Sequence, residues 1–259
     1  MNIMYSNISG GLIFAGKTYG EMLFSRISLE KYIEYFQSKK IDILSLSEVH
    51  LEGKTSSDMV ERIAKGLGLE HHASLALSNS HLDTSKKLGM AVISRYPIVS
   101  QEEFVIPSPK LEVVRPDGER WVMFDKGGQR VILDIDGVRM GLVNFSYFPF
   151  HHFGRRVDEP EFALLRKQLL NVLLRGDQEM PTIVTGDFNN KGVLLADAFS
   201  ELFENNTVAQ AVRVKSTVVG FDDQLDHILY QPRFFSAADG FAEDNGSDHL
   251  VVGARLVRR

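Results

Sequence analysis

Apolar runs rich in Ile, Val and Phe recur along the whole chain, at Asn2 to Ile8, Ile41 to Val49, Gly89 to Ser94, Gln129 to Ile135, Val138 to Tyr147, Pro181 to Thr185, Asp226 to Tyr230 and Leu250 to Val257. Their length and β-branched content are those of strands, so an all-α fold is excluded. Two amphipathic helices lie between them. Leu29, Tyr32, Ile33 and Phe36 form an apolar stripe that ends at the Lys39-Lys40 pair, where cations suit a helix C-terminus. The second helix is capped by Asp158, or by Glu159 before Pro160, and carries Phe162, Leu165, Leu169 and Val172 on one face. Weaker helical patterns occupy residues 57–67 and 193–203. Residues 89–147 hold strands and turns without a helix, including the hairpin turns Pro116-Asp117-Gly118 and Asp136-Gly137. Helices toward both ends with hairpins between them predict an α/β sandwich of mixed sheets rather than an alternating βαβ wheel. No repeat or linker divides residues 1–259, which read as one domain.

Composition narrows the chemistry. With 44% hydrophobic and 24% charged residues the chain is neither disordered nor fibrous. Lys+Arg 29 against Asp+Glu 34 gives a net charge of -5, so a polyanionic substrate must be met by a local basic patch or a metal ion. Cys 0 excludes disulfides, thiolate catalysis and Cys-ligated zinc or iron-sulfur centres, and suits a reducing compartment. The N-terminus lacks the basic and apolar regions of an export signal, and no apolar stretch approaches the roughly 18 residues of a spanning helix. The expectation is a soluble cytoplasmic protein with no membrane span and no evident obligate protein partner.

Short polar segments stand at the ends of these runs. Asn7 closes the first and Glu48 the second, at a sheet rim; on spacing alone Glu48 reads first as a solvated strand end. After Pro-Thr-Ile-Val come Thr185-Gly186-Asp187-Phe188-Asn189-Asn190, a pattern that taken singly is a plain turn. In extended chain Asp187 and Asn189 point the same way, and a carboxylate beside an amide suits a nucleophilic water: the Asp accepts its proton and the Asn donates to a neighbouring oxygen. Two Asp-His dipeptides follow, Asp226-His227 and Asp248-His249. Neighbours in a strand face opposite ways, so the productive couple runs across strands, Asp226 orienting His249 while Asp248 is left for a cation. Together these residues supply hard oxygen donors for Mg²⁺ or Mn²⁺, one imidazole and no thiolate, a set fitted to metal-assisted attack of water on phosphorus.

The ordered segments MYSNI, LSLSEV, LGMAVISRYPI, LVNFSYFPF, TGDFNN, QLDHIL and GSDHLVV resemble the endonuclease/exonuclease/phosphatase superfamily of deoxyribonuclease I-like and exonuclease III-like enzymes, from residue 2 to the C-terminus. The resemblance implies a four-layer α/β/β/α sandwich, two packed mixed sheets with helices outside, and a Mg²⁺- or Mn²⁺-dependent phosphoesterase site at one edge. It implies that Asn7 and Glu48 are the metal-site amide and carboxylate, with Asp248 a further metal-site carboxylate. Asp187 and Asn189 would be the water-activating and phosphate-contacting pair, and Asp226 the partner of a phosphate-contacting His249. Two positions depart from the pattern: Ser47 stands where many relatives have Gln, and Asn144-Phe145-Ser146 replaces Asn-Thr-His. Tyr147, in Tyr147-Phe148-Pro149, matches the exonuclease III-type Tyr after a one-residue shift, with Ser146 or His151 as substitutes and simple packing of Tyr147 as the other reading.

The loop His151-His152-Phe153-Gly154-Arg155-Arg156 concentrates potential positive charge, so His151, Arg155 and Arg156 are candidate substrate-binding residues, or else a solvated approach to the next helix. Residues 78–87, with His81 and two lysines, form a recognition loop or a surface connection. The expected function is metal-dependent hydrolysis of phosphodiesters, first a nuclease acting on DNA or RNA, with small-molecule or lipid head-group phosphoesters as the alternative and an inactive binding module as a third reading.

Overall fold

A computed structural model describes residues 1–18, 21, 23–115, 118–175 and 180–259. Among them are two six-stranded mixed sheets. The first runs, edge to edge, Phe235–Glu243, Val251–Arg258, Asn2–Asn7, Ile43–Leu51, Lys87–Ser94 and His71–Asn79; the second runs Ala209–Gln210, Asp226–Tyr230, Thr182–Asp187, Val138–Ser146, Lys126–Ile135 and Ile98–Ile106. Each sheet has one parallel pair at its centre: Asn2–Asn7 beside Ile43–Leu51, and Val138–Ser146 beside Thr182–Asp187.

Alternation along the strands explains the layering, because successive side chains leave opposite faces. Ile3, Tyr5, Ile43, Val92, Leu142, Ile183, Ile228 and Val252 fill the space between the sheets. Met4, Leu44, Leu46 and Ile93 point the other way, under the helices Leu29–Gln37 and Asp58–Leu67. Val143, Phe145 and Val184 do the same on the second sheet, under the helix Ala163–Leu173 and the short helices Leu195–Ala198 and Ser200–Phe203. The result is the α/β/β/α sandwich. One polar group crosses its middle: the Asn144 side-chain amide donates to the carbonyls of Leu46 at 2.9 Å and Ala91 at 3.0 Å, tying the sheets together next to the functional rim.

The second amphipathic segment opens as a 3₁₀ turn, Pro160–Phe162, with Glu159 at its cap, and becomes α-helical from Ala163. Asp136 and Gly137, at φ 53° and 83°, make the tight turn between the strands Lys126–Ile135 and Val138–Ser146. Pro116 and Asp117 of the other expected turn lie outside the described residues; the strands flanking it, Glu112–Val114 and Arg120–Val122, pair as a small hairpin apart from both sheets. No helix among the described residues is long and apolar enough to cross a membrane.

Candidate active site

The strand rims at one edge of the sandwich converge on a cleft of about 530 Å³. Its floor comes from strand register. Ser146 and Asp187 are parallel partners, and Asp187 faces Asp226 across an antiparallel pair. Ile183 and Ile228 place these positions on the inter-sheet face, so Asp187 and Asp226 emerge from the end of the inner core. Gly186 is required there, since a Cβ would lie 2.5 Å from the Phe145 carbonyl oxygen.

Asp187 Oδ1 accepts the Asn189 backbone N–H and Oδ2 the Asn189 side-chain amide, both at 2.8 Å; that amide also donates to the Tyr147 carbonyl at 3.0 Å. Asn189 holds φ 51°, a left-handed conformation that asparagine tolerates and that folds it back onto Asp187. His249 Nδ1 lies 2.8 Å from Asp226 Oδ2. Burial would discharge this imidazole, but Asp226 beside it, with Asp248 and Asp187 further off, holds its pKa well above the ordinary histidine value. The charged ring donates to Asp226, while Asp226 Oδ1 is buried with no hydrogen-bond partner among the described residues. Burial, and then the charge of Asp226, raises Asp187 to about 7. Single ligand atoms of Asp187, Asp226 and His249 lie within 4.8 Å of one another, a buried acidic cluster that could hold a metal ion only with the imidazole neutral.

Glu48 reaches the cleft by a different device. The strand does not stop there but continues to Leu51, and the register slips between Ser47 and Val49, with Glu48 at φ 52°. A β-bulge turns the side chain into the cleft without ending the sheet. Burial opposes its charge, yet His81, Lys126, His249 and a hydrogen bond from Asn7 together hold its pKa below the ordinary glutamate value. Asn7 and Asp248 are buried behind the cleft lining rather than in it. Asn7 Oδ1 accepts the Ser9 backbone N–H at 3.1 Å, and Asp248 Oδ1 takes the hydroxyls of Ser9 and, at 3.1 Å, Ser247. Burial raises the Asp248 pKa. Ser47, at the position of the expected Gln, shares a 2.7 Å hydrogen bond with the Tyr5 hydroxyl.

Three expectations are corrected. Tyr147 does not face the cleft: one residue beyond Ser146 is the opposite face of the strand, and its ring is fully buried among Phe148, Phe150 and Phe199. Burial raises its phenol pKa, and the hydroxyl finds no partner. Ser146 and His151 line the cleft instead. Arg155 and Arg156 do not line it. Arg155 is bound by Glu159 and Glu161 with Phe162 under its guanidinium, and Arg156 pairs with Asp158 through two bonds of 3.0 and 2.8 Å.

Besides the charged His249, the cations Lys126, Lys191 and Arg115 line the cleft, and His81 stands among them. Lys191 directly follows the TGDFNN segment and was open to recognition on that ground; Lys126 has no local signal. The paired strands Glu112–Val114 and Arg120–Val122 supply Val113, Val114, Trp121 and Val122 as an apolar wall of the same cleft. Trp121 fastens that wall, stacked on Phe153 at 5.5 Å with the Arg115 guanidinium over its ring at 4.5 Å.

The sequence profile described as the Endonuclease/Exonuclease/phosphatase family matches residues 4–249. A search of curated protein sequences returns no significant match. Among solved structures, an endonuclease/exonuclease/phosphatase from Beutenbergia cavernae superposes with a TM-score of 0.69 at 20% identity, covering 100% of this chain and 71% of that one. The human Nocturnin catalytic domain with bound sulfate anion gives 0.65 at 15% identity, covering 100% and 93%. A mannosyl-6-phosphatase from Bacteroides thetaiotaomicron gives 0.61 at 17% identity, covering 99% of each chain. At these identities the likeness is one of fold.

Proposed function

Since this chain belongs to the endonuclease/exonuclease/phosphatase family, a family of phosphoester hydrolases, we propose that residues 1–259 act as one catalytic domain that hydrolyses phosphoester bonds with a Mg²⁺ or Mn²⁺ ion. The observation that carries this reading is the floor of the cleft: a carboxylate that ionises near neutrality, beside a buried Asp-imidazolium couple. Asp187, ionised, takes the proton of an attacking water; its raised pKa makes it a better base than an exposed aspartate. Asn189 fixes the carboxylate through both oxygens and thereby its aim. His249, kept charged and oriented by Asp226, donates to the phosphate oxygens, and Ser146 lies beside Asp187 on the same face.

The donor set fits a hard divalent cation. Glu48 is held ionised in the cleft, with Asn7 bonded to it and Asp248 behind, and no thiolate is present. Bound by these residues, the cation would offset charge developing on the phosphate.

Two substrate readings follow. A nuclease is the reading the chain's motifs favour, and Lys126 and Lys191 supply cleft charge for a polynucleotide backbone. A compact phosphoester is favoured by the hairpin wall, which closes the cleft to a volume typical of small-ligand sites and lines it with apolar groups. The test is a hydrolysis panel of oligonucleotides, abasic duplex, nucleotides, inositol phosphates and sphingomyelin, each with Mg²⁺, with Mn²⁺ and with EDTA. The expected result is turnover of at least one phosphoester, lost in EDTA and restored by either ion. No turnover of any member, with no metal binding, would sink the reading and leave a binding module.

A further inference from the structure

Lys191 is a cation without a counter-ion among the described residues. Its Nζ sits 3.6 Å from the centroid of the Phe221 ring, and it makes no ion pair with any described residue. The neighbouring acids are otherwise engaged: Asp222 pairs with Lys215 at 2.9 Å, and Asp223 Oδ1 accepts the Gly192 N–H at 2.9 Å. That last bond fastens the segment bearing Lys191 to the segment bearing Phe221, so the ammonium is held in place rather than trailing in solvent. In a chain of net charge -5, a fixed and unneutralised cation on a cleft wall is placed for an incoming anion.

A second observation points the same way. His151 stands edge-on to Phe221, ring centroids 6.2 Å apart at 86°, and both of its ring nitrogens are buried with no hydrogen-bond partner among the described residues. Burial, with His152 and Lys191 nearby, lowers its pKa to about 3, so at neutral pH it offers one N–H and one lone pair. An unmatched buried donor of this kind is destabilising, and a ligand oxygen that meets it removes that cost. His151 feels Lys191, His152 feels both Lys126 and Lys191, and Glu48 and Asp187 feel Lys126. Of the two lysines Lys126 therefore stands nearer the reacting group, with Lys191 on the His151 side of the cleft.

We propose that Lys191, held on Phe221, and His151 form a subsite for a second phosphate group, and that the preferred substrate is a phosphoester bearing one besides the group that reacts. The inference rests on the phosphoester-hydrolase reading for the identity of the first group. The second phosphate comes either from a compact bisphosphorylated molecule or from the next link of a polynucleotide.

The experiment reads binding, not turnover. Protein in EDTA at fixed ionic strength is titrated calorimetrically with adenosine 5′-phosphate and adenosine 3′,5′-bisphosphate, and with a dinucleotide carrying or lacking a 5′-phosphate. The expected result is about tenfold tighter binding of the bisphosphate than of the monophosphate, a gain of the size of one charge-assisted contact. Lys191→Met should bring that ratio below about twofold and Lys191→Arg should keep most of it, with thermal melts showing both variants folded. An equal gain in the dinucleotide pair assigns the second phosphate to a polynucleotide, and a gain confined to the bisphosphate assigns it to a compact substrate. A wild-type protein indifferent to the second phosphate, or a Lys191→Met variant with undiminished preference, overturns the subsite. Neither result bears on hydrolysis, and a protein that hydrolyses nothing while keeping the preference loses the enzymatic reading alone.

Discussion

The floor of the cleft and the arginine loop after the strand Val138–Ser146 are both charged, and they use charge in opposite ways. Asp187, Asp226 and His249 are buried at strand ends, where register holds them in contact and an oxygen of Asp226 is left unmatched. Arg155 and Arg156 are neighbours in a loop between two short helical turns, and each is neutralised by carboxylates only a few residues away. In the floor, low dielectric makes every charge act strongly on its neighbours; in the loop, water and local partners screen it. Formal charge is thus a poor guide to a reactive site, and unmatched charge in a rigid setting is a better one.

The sharpest way to break this comparison is to remove Asp187. Asp187→Ala should lower kcat by roughly a thousandfold or more on whichever phosphoester is turned over, as expected for loss of a general base, with the fold kept as judged by circular dichroism. A variant that turned over at the parental rate would take the base role from Asp187.

A thermodynamic consequence comes next in size. In the folded protein the Asp187 pKa is raised to about 7 by burial and by Asp226, from an ordinary value of 3.8. The folded state therefore binds more protons than the unfolded state between those limits, and stability is lost as pH rises through that window. Asp187→Asn carries no such charge, so the stability difference, variant minus parent, should grow by on the order of 3 kcal/mol from pH 4 to pH 7.5 in EDTA, read from urea unfolding. A difference that stays flat with pH would mean that Asp187 ionises freely in the folded state. The smallest effect belongs to the loop: Arg155→Ala with Arg156→Ala should change kcat/KM by less than about twofold and leave the urea midpoint nearly unmoved, as loss of exposed ion pairs does. A large rise in KM would return that loop to the substrate path.

Parity decides a further contrast. Read from the chain, Tyr147 and Ser146 are adjacent candidates for one position; in the folded strand they belong to different worlds, Ser146 beside Asp187 at the cleft and Tyr147 in an aromatic cluster under the helices. Glu48 shows the converse. It would have read as a strand terminus, yet a bulge within a continuing strand aims it, and no local pattern announces a bulge. Lys126 and the hairpin wall reach the cleft from the middle of the chain through contacts with no short-range trace.

What the amino-acid order determined by itself was the interior. Every apolar run read as a strand is an inner strand of one of the two sheets, because a strand flanked on both sides and covered on both faces must be apolar nearly throughout. The four edge strands, Phe235–Glu243, His71–Asn79, Ala209–Gln210 and Ile98–Ile106, escaped notice because an edge exposes side chains and mixes polar residues into the run. Tertiary structure alone decided which charges remain unmatched and face a common cleft. That depends on strand register, on one bulge and on ion pairs formed nearby, all of which are distances in space rather than intervals along the chain.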